Sequence, residues 1–139
     1  MVKPDVVGKK LIRATRWLDR AEAKLSMPAG EFLADEDRRD VASFHLFLAI
    51  QECIDLAVHW VADAGWGAPD DAASTFLLLA DRQAIDRELA EGLRSAAGLR
   101  NLIAHGYATV DHARILNEYR EGIADLRRFL AAAAAEAGL

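Results

Sequence analysis

Cysteine and proline are nearly absent: one cysteine, Cys53, and three prolines in 139 residues. One thiol excludes an intrachain disulfide framework, and its place in an apolar run leads us to expect a buried thiol in a reducing compartment. So little proline leaves long helices uninterrupted. No unbroken apolar stretch reaches the ~20 residues of a membrane span, and no charged-then-apolar leader opens the chain. A cytoplasmic protein without a membrane partner is therefore expected. There is no Gly-rich phosphate loop, no pair of zinc ligands at a recognisable spacing and no internal repeat. The net charge of -5 speaks against bulk, charge-driven binding of nucleic acid, and leaves room for a local basic cleft.

What is abundant is alanine and leucine within a hydrophobic fraction of 53%, which points to an all-α protein, read as a single domain over residues 1–139. From about Val6 to Leu25, the residues Val7, Leu11, Ala14, Leu18, Ala21 and Leu25 alternate at spacings of four and three, one apolar helical stripe. Nearly opposite lie Lys9, Arg13, Arg16, Arg20 and Lys24, with Asp19 and Glu22 as local counter-charges; this row is either a solvated face or a ridge that follows phosphates. Met27-Pro28-Ala29-Gly30 breaks the helix. A short helix is expected over Ala72 to Leu79, capped by the aspartates at 70 and 71. Another starts near Asp81 or Ile85 and runs through Leu89, Leu93 and Ala96 to about residue 105. The last follows Asp111, with Ile115, Leu116, Tyr119, Ile123, Leu126 and Leu130 inward, His112 exposed in its first turn, and Ala131 to Ala135 as a fraying tail.

The most apolar stretch, Val41 to Ala64, follows acidic residues suited to a helix N-terminus. Apolar stripes cover so much of its circumference, Val58 included, that it must be central, buried by several neighbours or by a second subunit. Across it runs one polar row, His45, Glu52, Asp55 and His59. Carboxylates on a core helix are costly unless paired, hydrated or useful. A Glu-Asp-His row can hold a metal in principle, yet further ligands are missing, so the row is read as facing a wet cleft or a partner, with no metal and no cofactor.

The densest chemistry lies in Arg100-Asn101-Leu102-Ile103-Ala104-His105-Gly106-Tyr107. A fixed cation, an amide, an imidazole that titrates near neutrality and a phenol within eight residues suit work on a phosphodiester. Residues five apart on a helix are rotated by roughly 140°, so Arg100 and His105 share no face of a regular helix. Either the helix ends near Ala104 or His105, with Gly106 in a left-handed conformation freeing the imidazole, or the two groups meet across a two-fold axis.

The cluster resembles the signature of the HEPN superfamily, specifically the HepT-like toxins: Arg-Asn, three residues, then His-x-Tyr. The acidic pair and histidine in Gln51-Glu52-Cys53-Ile54-Asp55-Leu56-Ala57-Val58-His59 are similar in type to the family's central helix, and the likeness covers about Val41 to Leu130. The resemblance implies an up-and-down helical bundle with long central helices, dimerising about a two-fold axis. It implies a metal-independent endoribonuclease that cleaves RNA, partnered by a nucleotidyltransferase antitoxin that attaches AMP to the motif tyrosine, here Tyr107. In that frame His105 moves protons, Arg100 pairs with phosphate, Asn101 orients the histidine or donates to a phosphate oxygen, and Glu52 and Asp55 support His105, bridge to Arg100 or stabilise the dimer. A module of the same family that binds nucleotide, RNA or the partner without turnover is the alternative.

Overall fold

The computed structural model describes residues 4–106 and 111–139, the side chain at position 120 excepted. Among these residues the chain forms α1 (Pro4–Leu25), α2 (Ala29–Ala34), α3 (Glu36–Asp63), α4 (Ala72–Asp81), α5 (Arg87–His105) and α6 (His112–Glu136), and no strand. The all-α expectation holds. Aspartates start four of the helices: Asp35, Asp71, Asp86 and Asp111 each accept a hydrogen bond from a backbone N–H three residues on, at 3.1, 2.7, 2.7 and 3.0 Å. Each cap satisfies a donor that the first helical turn leaves without a partner.

α3 is the axis of the bundle and packs against each of the other helices described. By length and composition it could cross a membrane, but half of its most apolar window is buried inside the fold, as in a core helix. α1 lies against it in the opposite direction, since Lys10 meets Glu52 while Trp17 meets His45. α5 also runs down α3: Arg100 meets Gln51, and His112, just beyond the end of α5, lies by Ser43. The core closes around Phe32, Phe76 and Phe129, each fully buried, with Phe76 and Phe129 edge to face at 5.5 Å.

Several local expectations change. Pro28 ends one helix and caps the next, so the stretch read as a break leads into α2, which buries Phe32. α3 begins at Glu36, a full turn before its apolar run, because Asp35 caps it. Val58 is 47% exposed. The alanine tail is packed rather than frayed: α6 continues to Glu136 with Ala133 and Ala137 buried. At Gly92 of α5 the Asp125 side chain of α6 fills the space a Cβ would take, and that Cβ would lie 2.0 Å from Asp125 Oδ2.

Candidate active site

The site is built along α3, where α1 packs on one flank and α5 on another. Arg100, half-buried on α5, donates from Nη1 to Gln51 Oε1 at 2.9 Å, and Gln51 Nε2 donates to Asp55 Oδ1 at 3.2 Å. Asp55 lies 3.8 Å from Lys10 Nζ, and Lys10 lies 3.6 Å from Glu52 Oε2, whose other oxygen is 3.3 Å from Arg13 Nε. One polar chain thus links all three helices. It is incomplete in two places: Arg100 Nε and Glu52 Oε2 are buried and have no hydrogen-bond partner. The Glu52–Lys10 contact is therefore an ion pair without a hydrogen bond. An unused donor on a half-buried guanidinium is a site where an anion gains a hydrogen bond that water makes poorly.

Of the residues singled out from sequence, Arg100, Glu52 and Asp55 come together on this side of the bundle, though neither carboxylate contacts Arg100; Gln51 does. Among the described residues nothing joins either carboxylate to His105. The amide at 51 was visible only as a polar residue on a core helix, four before Asp55, and carried no signal of its own. Lys10 was hidden in the same way, because the partner that draws it inward is on another helix.

Asn101 and His105 are exposed. The freed imidazole does not materialise. α5 stays regular through His105, Gly106 closes it with N–H to the Leu102 carbonyl at 2.9 Å, and its φ of -110° is not left-handed. His105 therefore lies about 140° round the helix from Arg100, and the two do not share a face. Tyr107 lies outside the described residues.

The rest of the polar row has separate environments. His45 is stacked on Trp17 at 5.3 Å with its Nδ1 buried and without a partner. Burial, then Lys24 and Arg20, hold its pKa below the ordinary value. His59 is exposed. His112, expected at the surface, is instead mostly covered, with Nδ1 3.4 Å from Ser43 Oγ and Nε2 3.7 Å from Asp40. Burial lowers its pKa, and so does Arg39, against the opposing pull of Asp40 and Asp111. Among the described residues no three His, Cys, Asp or Glu side chains are grouped to share a metal ion.

A family model described as ribonuclease HepT-like matches residues 14–133. The mRNA nuclease HepT of Shewanella oneidensis is 24% identical over 126 residues, which is 91% of this chain and 94% of that protein. An Archaeoglobus fulgidus protein provisionally named an RNase is 36% identical over 87 residues, 63% of this chain, and the chain spans 65% of its length. The fold superposes on the tri-AMPylated Shewanella oneidensis HEPN toxin, solved in complex with MNT antitoxin, with a TM-score of 0.86 at 24% identity, covering 94% of this chain and 98% of that one.

Proposed function

Because the chain belongs to the ribonuclease HepT-like family, we propose that it is a metal-independent endoribonuclease, the toxin of a pair whose other member is a nucleotidyltransferase antitoxin, working in the cytoplasm as a single domain. The observation that carries this reading is Arg100 held by Gln51 with its Nε unused, one helical turn and a half before an exposed histidine.

RNA brings its own nucleophile. The 2'-hydroxyl attacks the adjacent phosphorus, the P–O5' bond breaks, and the products are a 2',3'-cyclic phosphate and a free 5'-hydroxyl. One proton must leave the 2'-oxygen and one must reach the 5'-oxygen. His105 carries one of these transfers, worth about 10²–10⁴-fold for a placed acid or base. Arg100 stabilises charge on the phosphate in the transition state, and Asn101 donates to a phosphate oxygen. Glu52 and Asp55 act at a distance, holding Lys10, Arg13 and, through Gln51, Arg100.

A single chain separates Arg100 from His105, so the reading includes a two-fold homodimer in which each cleft uses both motifs. Val41, Phe44 and Val58 on α3 and Leu102 on α5 are 39%, 52%, 47% and 45% exposed. Phe44 and Val58 stand seven residues on either side of Gln51, and Val41 three before Phe44, so the three share the face that carries Gln51, and an apolar seam there suits a second copy. Two copies also supply the second histidine that acid and base catalysis together require.

The antitoxin is proposed from the company kept by the structural relative, which is tri-AMPylated and bound to MNT antitoxin. AMP on Tyr107 would add negative charge beside the phosphate site and exclude RNA. A non-catalytic module that binds nucleotide, RNA or the partner is the second reading, favoured by the net charge of -5. Expression in bacteria without any partner separates them. For a ribonuclease, wild type arrests growth and fragments RNA, Arg100→Ala and His105→Ala do neither, and Tyr107→Phe stays toxic but escapes the antitoxin. Intact RNA with soluble, folded wild type would sink the enzyme in favour of the binding module.

A further inference from the structure

Each residue of an α-helix is rotated by about 100° from the last. Measured round α1 from its buried stripe of Val7, Ala14, Leu18, Ala21 and Leu25, the six cations Lys9, Lys10, Arg13, Arg16, Arg20 and Lys24 fall in one arc of about 120°. Lys10 and Arg13 contact Glu52, so this flank faces α3. Asp19 and Glu22 fall on the other flank, where Arg127 of α6 binds them at 2.9 and 3.2 Å. The carboxylates that looked like local counter-charges are thus drawn away. Among the described residues Lys9, Arg16, Arg20 and Lys24 make no ion pair.

An aromatic stack sits within the arc. Arg16 and Arg20 lie over the Trp17 ring at 5.7 and 5.6 Å, His45 stacks on Trp17 at 5.3 Å, and Phe44, 52% exposed, lies 6.4 Å from His45. His45 is six residues, about 9 Å along α3, from Gln51, which holds Arg100. Unneutralised cations beside aromatic faces are the surface on which single strands bind, phosphates on the charges and bases on the rings. Another copy of the chain would bring four unpaired cations against four, an arrangement that electrostatics opposes.

We propose that the α3-facing flank of α1, with Arg16, Arg20 and Lys24 around Trp17, is a track that binds single-stranded RNA and leads it to Arg100. The proposal rests on the ribonuclease reading and names how that site holds its substrate. Affinity of a labelled single-stranded oligouridine is measured by fluorescence anisotropy over a salt series, in a His105→Ala background that prevents turnover. Arg16→Gln/Arg20→Gln in that background keeps its melting temperature, because both side chains are exposed. It is expected to bind about tenfold more weakly and to lose about 1.4 from the slope of log affinity against log salt, about 0.7 for each phosphate released. Trp17→Phe keeps binding but loses tryptophan quenching by the oligonucleotide. Unchanged affinity and slope would overturn the track, as would retained RNA binding with a change in self-association or loss of binding to the antitoxin, which would make the flank a protein interface. If wild type cleaves no RNA while binding still depends on Arg16 and Arg20, the ribonuclease reading fails and the track stands.

Discussion

Replacing Gln51 by alanine tests whether Arg100 is positioned or merely parked. The Arg100 Nη1–Gln51 Oε1 hydrogen bond of 2.9 Å is the contact that fixes the guanidinium, since Nε has no partner. Hydrogen bonds to charged groups contribute about 1.5–3 kcal/mol, and the half-buried setting of Arg100 reduces this to about 1.4 kcal/mol, a factor of about ten. If Gln51 holds Arg100 where phosphate charge develops, Gln51→Ala lowers kcat/KM for RNA cleavage by about tenfold. Stability changes little, by about 1 kcal/mol or less: the lost bond to Asp55 is set against the better helix propensity of alanine. Gln51→Glu places a third carboxylate beside Glu52 and Asp55 and ties Arg100 more tightly to α3, so its activity falls further at higher melting temperature. The assay is steady-state cleavage of a fluorogenic oligoribonucleotide with a parallel thermal melt. Wild-type or higher kcat/KM in Gln51→Ala would refute the reasoning and make Gln51 a latch that Arg100 must leave.

Phe44→Glu should lower the sedimenting mass from dimer to monomer and abolish cleavage together; a stable dimer in this variant would remove α3 from the interface. Gly92→Ala gains about 1 kcal/mol of helix propensity but drives a Cβ into the Asp125 carboxyl, and overpacking costs about 1–3 kcal/mol. Urea unfolding should show a net loss of about 1 kcal/mol, recovered in Gly92→Ala/Asp125→Ala; a single variant more stable than wild type would show that Asp125 swings aside freely. His45 and His112 have pKa values below the ordinary 6.5 in the folded chain, so below that pH the unfolded chain binds protons that the folded chain refuses. Stability is then full above about pH 6.5 and falls as pH drops toward the folded values. His112→Asn and His45→Asn should each flatten urea midpoints across this window, and an unaltered pH profile in both would exclude them as its source. Cys53 is fully buried, and burial followed by Glu52 raises its pKa, so thiol reagents should react only on unfolding; prompt labelling in native buffer would contradict the packing.

The helices were legible because their causes are local. A 3.6-residue apolar period picked out the inward faces of α1, α5 and α6, and Asp71 and Asp111 marked two starts through a bond three residues long. The family was legible too: the resemblance was drawn from the short cluster of Arg100, Asn101 and His105, and the family model matches residues 14–133. What α1 does with its charges was not legible, because Asp19 and Glu22 are closer in sequence to Arg16 and Arg20 than to Arg127, yet α6 takes them. In the same way Gln51 rather than Glu52 reaches Arg100, and Ser43 and Asp40 cover His112. Periodicity and capping act within a few residues of chain, so sequence alone determined the elements and the motif. Pairing of charges and burial of polar groups depend on which helix faces which, and that was decided only when the helices closed on one core.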